Sequence, residues 1–227
     1  MDEKKRKYAV IILILGIFIL LIPIVKSKID ERKNIHLLSQ FKIEKKKYQM
    51  DYLENAVHLI KLNGESENTV TSLDKSEVAE DLNKSEEANE EVKTKKEYDL
   101  MGILEIPKIN FEKPIIRNAS KENLKISVCS MNGESDMKDI KNLVIAGHNS
   151  RTYGKDFNRL NEIEKEDIIK VKDIDKTYNY KIYKKFVVKD DETWILSNVE
   201  DKDIITLFTC TYQGKEKMRL VLRGVKI

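Results

Sequence analysis

The sequence predicts a mostly β domain: a closed or partly closed β-barrel of about eight short strands with one or two short helices, behind an N-terminal transmembrane helix and a polar tether. Three observations lead there. An uninterrupted apolar run of about 18 residues, Tyr8 to Val25, follows a basic cluster at Lys4, Lys5, Arg6 and Lys7 and approaches the length that spans a bilayer of roughly 30 Å. Residues 63–97 lack any aromatic side chain and mix Glu, Lys, Ser, Asn and Asp, a composition that cannot bury enough surface to offset its ordering entropy. Beyond Tyr98, short β-rich segments separated by turn residues recur over about 130 residues with few helical signals.

The apolar run reads as an uncleaved anchor rather than a signal peptide. It is longer than a typical signal core, Lys26 and Lys28 follow it directly, and no small-x-small cleavage pattern closes it. Basic residues on both sides orient it only weakly by charge. A short tail is easily retained, so residues 1–7 are expected in the cytoplasm, 8–25 in the membrane as a single pass, and the rest outside the cell. Residues 26–97 form the expected tether and 98–227 the folded domain. Within the tether, Ile35, Leu38, Phe41, Tyr48, Tyr52 and Leu53 fall at spacings that suggest an amphipathic helix leaving the membrane. His36 and His58 have no other ligand types at metal spacing and read as surface residues.

Composition excludes some partners. A net charge of +3 with 36% charged residues, acidic and basic interspersed, offers no basic stripe for nucleic acid. Two cysteines cannot build a framework of several disulfides, and Cys129 reads as a small buried hydrophobe.

In chain order, Gly102 to Ile109 reads as a strand stopping near Pro107, and Phe111 to Arg117 as a second, with Pro114 marking an edge or bulge. Ala119 to Ile126 suggests a brief helix started by Ser120. Asn142 to Ala146 is a buried strand, and Phe157, Leu160 and Ile163 follow at helical spacing. Ile168 to Val171, Tyr178 to Val188, Ile204 to Cys210 and Met218 to Val225 complete the strands.

Three of these segments carry chemistry. Alternation puts Ile204, Thr206, Phe208 and Cys210 on one face, and Cys210 reads as the last strand residue before a polar loop, where a thiol meets solvent while packing fixes its direction. His148 ends another apolar strand, after Gly147; if the two strands are parallel neighbours, the imidazole and thiol meet at one rim, and the 60 or so intervening residues suffice for the crossover. A short Gly-containing loop after Cys210 suggests a hairpin that sets Arg219 beside the thiol. Arg223, on the same face, lies roughly 13 Å farther along. Thiol, imidazole and guanidinium together suit cysteine-dependent acyl transfer.

The segment Thr206-Leu207-Phe208-Thr209-Cys210, the histidine of Ala146-Gly147-His148, the arginine opening the next strand and Gly102-Ile103-Leu104-Glu105-Ile106-Pro107 resemble the sortases, membrane-bound cysteine transpeptidases of Gram-positive cell walls. The resemblance covers about the last 125 residues of the chain. Gly147-His148-Asn149 and the Arg-Leu-Val run ending in Gly224 are similar to class B, whereas the His148-to-Cys210 spacing leaves no room for that class's helical insertion and is closer to classes A and D.

The resemblance implies that Cys210 attacks the Thr–Gly bond of an LPxTG-like sorting signal. His148 then serves as general acid and base, and Arg219 as hydrogen-bond donor to the substrate carbonyl or oxyanion. The implied partners are secreted proteins bearing the signal and an amine on a peptidoglycan precursor or a pilin. No cofactor is implied. The residues between Lys189 and Asp203 correspond to the signal-recognising segment, where Trp194, Ile195 and Leu196 would line an apolar groove; its acidic residues invite calcium by analogy with some class A members, but a solvated acidic loop is the preferred reading. A cysteine hydrolase and a non-catalytic tethered binding domain are the alternatives from other classes.

Overall fold

Period-two apolar patterning beyond Tyr98 becomes eight strands that close on themselves. The structure, a computed structural model, describes residues 3–62 and 98–227. The strands are β1 (Leu100–Ile106), β2 (Phe111–Arg117), β3 (Val128–Ser130), β4 (Asn142–Ala146), β5 (Ile168–Lys172), β6 (Thr177–Lys189), β7 (Ile204–Gln213) and β8 (Glu216–Lys226). They form a closed barrel in the order β1-β2-β3-β4-β7-β8-β6-β5, with β5 returning to β1. The β2/β3 and β4/β7 pairs are parallel and the others antiparallel. One apolar cluster fills the interior and draws on every strand, through Leu104, Ile115, Val128, Ile145, Ile169, Ile182, Leu207 and Leu222.

A second cluster lies on the opposite face of β4, β7 and β8, where Val144, Ala146, Phe208 and Val221 pack with Val188 and Ile195. A bulge in β6 makes this possible. Ile182 pairs with Gly224, but the next partner of Arg223 is Lys184, so Tyr183 is an extra residue. Tyr178, Tyr180 and Ile182 therefore face the interior, whereas Phe186 and Val188, of the same parity, face outward.

Local elements follow from their sequences, with some departures from expectation. The brief helix expected after Ala119 is one turn, α2 (Lys121–Leu124 in chain order, the second helix), whose Ser120 Oγ accepts from the Asn123 N–H at 3.0 Å. Around Phe157, Leu160 and Ile163 only a 3-10 turn forms, Leu160–Glu162, although all three side chains are buried. Strand β3 was not legible: it has three residues, too few for a period to show. Strand β7 runs through Cys210 to Gln213 instead of ending at the thiol, and a two-residue turn led by Gly214, φ 62°, joins it to β8. A glycine at the first position of such a turn is what a type II′ hairpin requires.

Helix α1 spans Glu3–Leu62. Its residues up to Lys45 belong with the barrel to one compact unit. The face that meets the barrel carries Asp30, Asn34, Leu37, Phe41 and Lys45, spaced three and four apart, so it shares Phe41 with the Ile35–Leu38–Phe41 stripe expected from apolarity but is turned away from Ile35. Leu37 and Phe41 are only 5% and 3% exposed, while Ile35 is 60% exposed. Asn34 Nδ2 donates to the Ile126 carbonyl at 2.8 Å and Lys45 Nζ to that of Asp173 at 2.7 Å. Among the described residues no helix is long and apolar enough to cross a membrane, and the tether portion 63–97 lies outside the described residues.

This packing has a stability consequence. Phe41→Ala should destabilise the folded unit by about 3 kcal/mol, in the range for emptying a buried aromatic site. Ile35→Ala, on the exposed face, should change it by less than about 0.5 kcal/mol. Urea titrations of the two variants in detergent check the difference.

Candidate active site

Strand β7 lies between parallel β4 and antiparallel β8, and this placement assembles the site. Ala146 is the Cα partner of Phe208, and past that point Gly147 N–H donates to the Phe208 carbonyl at 3.2 Å. The chain leaving β4 at His148 is thus held beside the chain approaching Cys210, the parallel neighbour arrangement the sequence allowed. Thr209 Oγ1 donates to the Gly147 carbonyl at 2.8 Å, and Asn149 Nδ2 to the Cys210 carbonyl at 2.9 Å. Both stand in the motifs quoted for the resemblance, but neither was given a role; their signal was position, since each flanks a candidate site residue and carries a short polar side chain.

Gly147 is needed for close approach. A Cβ there would meet the Phe157 ring at 2.5 Å. Phe157 in turn donates its N–H to the His148 carbonyl at 2.9 Å, and Asn149 and Asp156 form an isolated antiparallel bridge, so the loop after His148 folds back on its own base. Asp156 lies within electrostatic range of His148 and pairs with Lys113 at 3.7 Å; burial raises its carboxyl above the usual range, partly offset by Lys113. Lys113 is correspondingly lowered by burial, with Asp156 opposing.

Cys210 is exposed and is the direct cross-strand partner of Arg219. The hairpin register expected from the short loop is therefore present, and Arg223 pairs instead with Thr206. Arg219 Nε donates to the Asp190 carbonyl at 3.0 Å, and its guanidinium lies 5.2 Å from the centre of the Phe208 ring. Both features fix the direction of a long side chain that would otherwise sample many rotamers.

The matched sequence model for the sortase domain covers residues 104–227, which takes in β4, β7 and β8 and with them His148, Cys210 and Arg219. This chain belongs to the sortase family. It is similar to sortase D of Bacillus subtilis (strain 168), 30% identical over 129 residues, which is 56% of this chain and 63% of that protein. It is also similar to sortase A of Bacillus anthracis, 27% identical over 125 residues, 55% of this chain and 59% of that one. The alignments therefore span about three fifths of these relatives' length. Among solved structures, sortase C1 of Streptococcus agalactiae superposes with a TM-score of 0.51 at 30% identity, covering 56% of this chain and 67% of that one. These names span three classes, so likeness alone assigns none to this sortase.

The β6–β7 connection of this sortase contains one 3-10 turn, Trp194–Leu196, and no longer helix. The expected apolar trio divides. Ile195 is buried in the outer cluster, whereas Trp194 and Leu196 are partly exposed, because a 3-10 turn cannot present three consecutive side chains on one face. Trp194 stacks on Phe186 with ring centres 5.5 Å apart, and the Arg223 guanidinium lies 5.1 Å from the Trp194 ring. Arg223, 7% exposed, donates from Nη2 to the Ile195 carbonyl at 3.1 Å. Asn142 Nδ2 donates to the carbonyls of Ile195 and Ser197, and its Oδ1 accepts from Thr206. The turn is pinned by its main chain while its outer side chains stay available.

The acidic residues of this connection do not converge as calcium ligands. Asp203 is taken by Lys141 at 2.9 Å and Lys226 at 3.6 Å, and Glu192 accepts from Trp194 Nε1. Among the described residues no group of three or more His, Cys, Asp or Glu side chains gathers to hold a metal.

The two thiols are free and differ in setting. Cys129, on β3, is fully buried, and burial pushes its thiol up to about 12. A thiol raised by burial stays protonated in the fold after the unfolded chain begins to ionise near about 8.5, so its contribution to stability declines as pH rises past that point. Iodoacetamide at pH 8 should modify the native protein once, on Cys210, and reach Cys129 only after unfolding; peptide mapping by mass spectrometry reads both events, and native modification of Cys129 would contradict the burial.

Proposed function

We propose that this chain is a membrane-anchored cysteine transpeptidase acting on sorting signals. The observation that carries the reading is the cross-strand pairing of Cys210 with Arg219, on a strand whose parallel neighbour ends at Ala146, two residues before His148. In the first half-reaction Cys210 Sγ attacks the carbonyl carbon of the Thr–Gly amide in an LPxTG-like signal. The C–N bond breaks as His148 gives a proton to the leaving amine, and a thioester remains on Cys210. In the second half-reaction an amine of a cell-wall precursor or a pilin lysine attacks the thioester. His148 takes its proton and the Cys210 sulfur leaves.

Arg219 serves both halves as donor to the oxygen that becomes negative. Its inner nitrogen is used by Asp190, which leaves the outer fork directed by the strand rather than by solvent. The stacked Trp194 and Phe186, with Leu196, provide an apolar surface beside the site that suits the aliphatic part of the signal.

The membrane part of the reading rests on the sequence. Tyr8 to Val25 carries no charged residue, and Ile11 to Ile22 are exposed all round α1, an arrangement that suits lipid rather than water. Part of the run, Ala9, Val10, Pro23 and Ile24, lies outside the described side chains. The reading puts residues 1–7 in the cytoplasm and the catalytic domain outside the cell, as a single-pass protein.

With an LPxTG-like peptide and a glycine-based amine, the wild type should release the C-terminal fragment and form the amide, and mass spectrometry should find a thioester on Cys210. Cys210→Ala should do neither while keeping its fold. Release to water alone, with the amine present, would favour a hydrolase, and turnover by Cys210→Ala would end the proposal.

The two arginines separate role from support. Arg219→Ala should lower kcat/KM by about 10²–10³-fold, the usual loss for an oxyanion donor, chiefly in kcat. Arg219→Lys should recover only part, since an ammonium lacks the planar fork. Arg223→Ala should act through KM and through stability, the latter by about 1–3 kcal/mol, because it removes a charged donor to the Ile195 carbonyl, which keeps only Asn142, and the guanidinium packed on Trp194. Steady-state kinetics on one peptide, with thermal melts, decide between these patterns, and a larger kcat loss at Arg223 would overturn the assignment.

A further inference from the structure

We propose that the catalytic end of the barrel faces the bilayer, with the loop between Asn149 and Asp156 lying at the lipid headgroups, because α1 is docked on the barrel wall in a fixed direction. The proposal rests on the membrane-anchored reading above and adds to it an orientation and a contact surface.

The direction comes from the order of contacts along α1. Asp30 pairs with Lys155 at 3.0 Å, both side chains largely shielded, and Asn34, Leu37 and Phe41 follow into the interface. Lys45 ends the series on the Asp173 carbonyl. At 1.5 Å per residue, Asp30 sits roughly 8 Å beyond Val25, the last residue of the apolar run, and Lys45 roughly 30 Å beyond it.

These two contacts fall at opposite ends of the barrel. Lys155 precedes Asp156, which bridges to Asn149, which donates to the Cys210 carbonyl. Asp173 follows β5 in the turn to β6, and β6 then runs from Thr177, paired with Lys172, to Val188, paired with Arg219. Arg219 is at the level of Cys210. The helix emerging from the lipid therefore meets the catalytic end first and the β5–β6 turn last. A flexible tether would allow any orientation; a helix that buries Leu37, Phe41 and a hydrogen-bonded Asn34 against the wall does not.

The loop presented toward the lipid has the chemistry of an interface. Tyr153 is 76% exposed with the Arg159 guanidinium 4.9 Å from its ring centre, and Arg151, two residues earlier, is exposed as well. An exposed phenol with a neighbouring guanidinium is the pairing that settles among anionic headgroups, the ring at the acyl boundary and the cation on phosphate. The partner is thus an anionic lipid surface, and the reacting amide must be presented at the membrane face rather than out in the wall.

The test uses the full chain in phosphatidylcholine–phosphatidylglycerol vesicles containing a nickel-chelating lipid. A nitroxide is attached at Tyr153→Cys or, at the other end, at Asp175→Cys, each in Cys210→Ala so that only one exposed thiol is present. Headgroup nickel should relax the label at 153 several-fold more than the label at 175. Insertion of a flexible Gly-Ser stretch after Lys28, which leaves every docked residue in place, should erase the difference. Equal or reversed relaxation in protein that floats with the vesicles overturns the orientation and leaves the anchor standing, and so does a difference that survives the insertion. Failure to float overturns the anchor, and the orientation with it.

Discussion

The register of β7 against β8 is the constraint on which the site depends. Side chains in a sheet alternate faces, so a slip of one residue would carry Arg219 into the barrel interior while Cys210 stayed outside. Two features hold the register. Gly214, at φ 62°, allows a two-residue turn, and the alternation of Val221 outward with Leu222 inward would be violated by any odd shift. Beyond the hairpin, β4 adds the third strand, and the hydrogen bonds from Thr209 and Asn149 tie the His148 segment to the Cys210 segment at a fixed height.

The outer face of this three-strand unit is a second core, and the bulge at Tyr183 supplies its fourth wall. By shifting the phase of β6, the extra residue turns Phe186 and Val188 outward, where they support the Trp194–Leu196 turn. Arg223 and Asn142 then hold that turn through its carbonyls rather than its side chains. Such main-chain anchoring orders the segment ahead of binding, so less ordering entropy remains to be lost when a ligand arrives.

Sequence reading succeeded where a side-chain pattern was long enough to have a period. Strands β2 and β4 were legible to the residue, and the hairpin pairing of Cys210 with Arg219 followed from loop length alone. It failed where tertiary contacts overrode pattern. Strand β3 exists because β2 and β4 flank it, the bulge leaves no mark in a sequence as mixed as Lys181 to Lys185, and the contact face of α1 includes a buried Asn34 whose polar type gives no sign that it packs. The residues assigned to the candidate site were chosen by type and motif, whereas those bonded around them, Asn149, Thr209, Asn142 and the Asp190 carbonyl, are ordinary polar groups whose meaning appears only with their partners.

The burial of Cys129 bears on how this protein ages in an oxidising medium. A peroxide that oxidises Cys210 to a sulfenic acid leaves a group normally rescued by a nearby second thiol, which condenses with it to a disulfide and stops further oxidation. Here the only other thiol in the chain, that of Cys129, is sealed in the sheet and held protonated. Rescue must come from a thiol in the surroundings, and the working lifetime of the protein is then set by the redox supply around it rather than by its own fold.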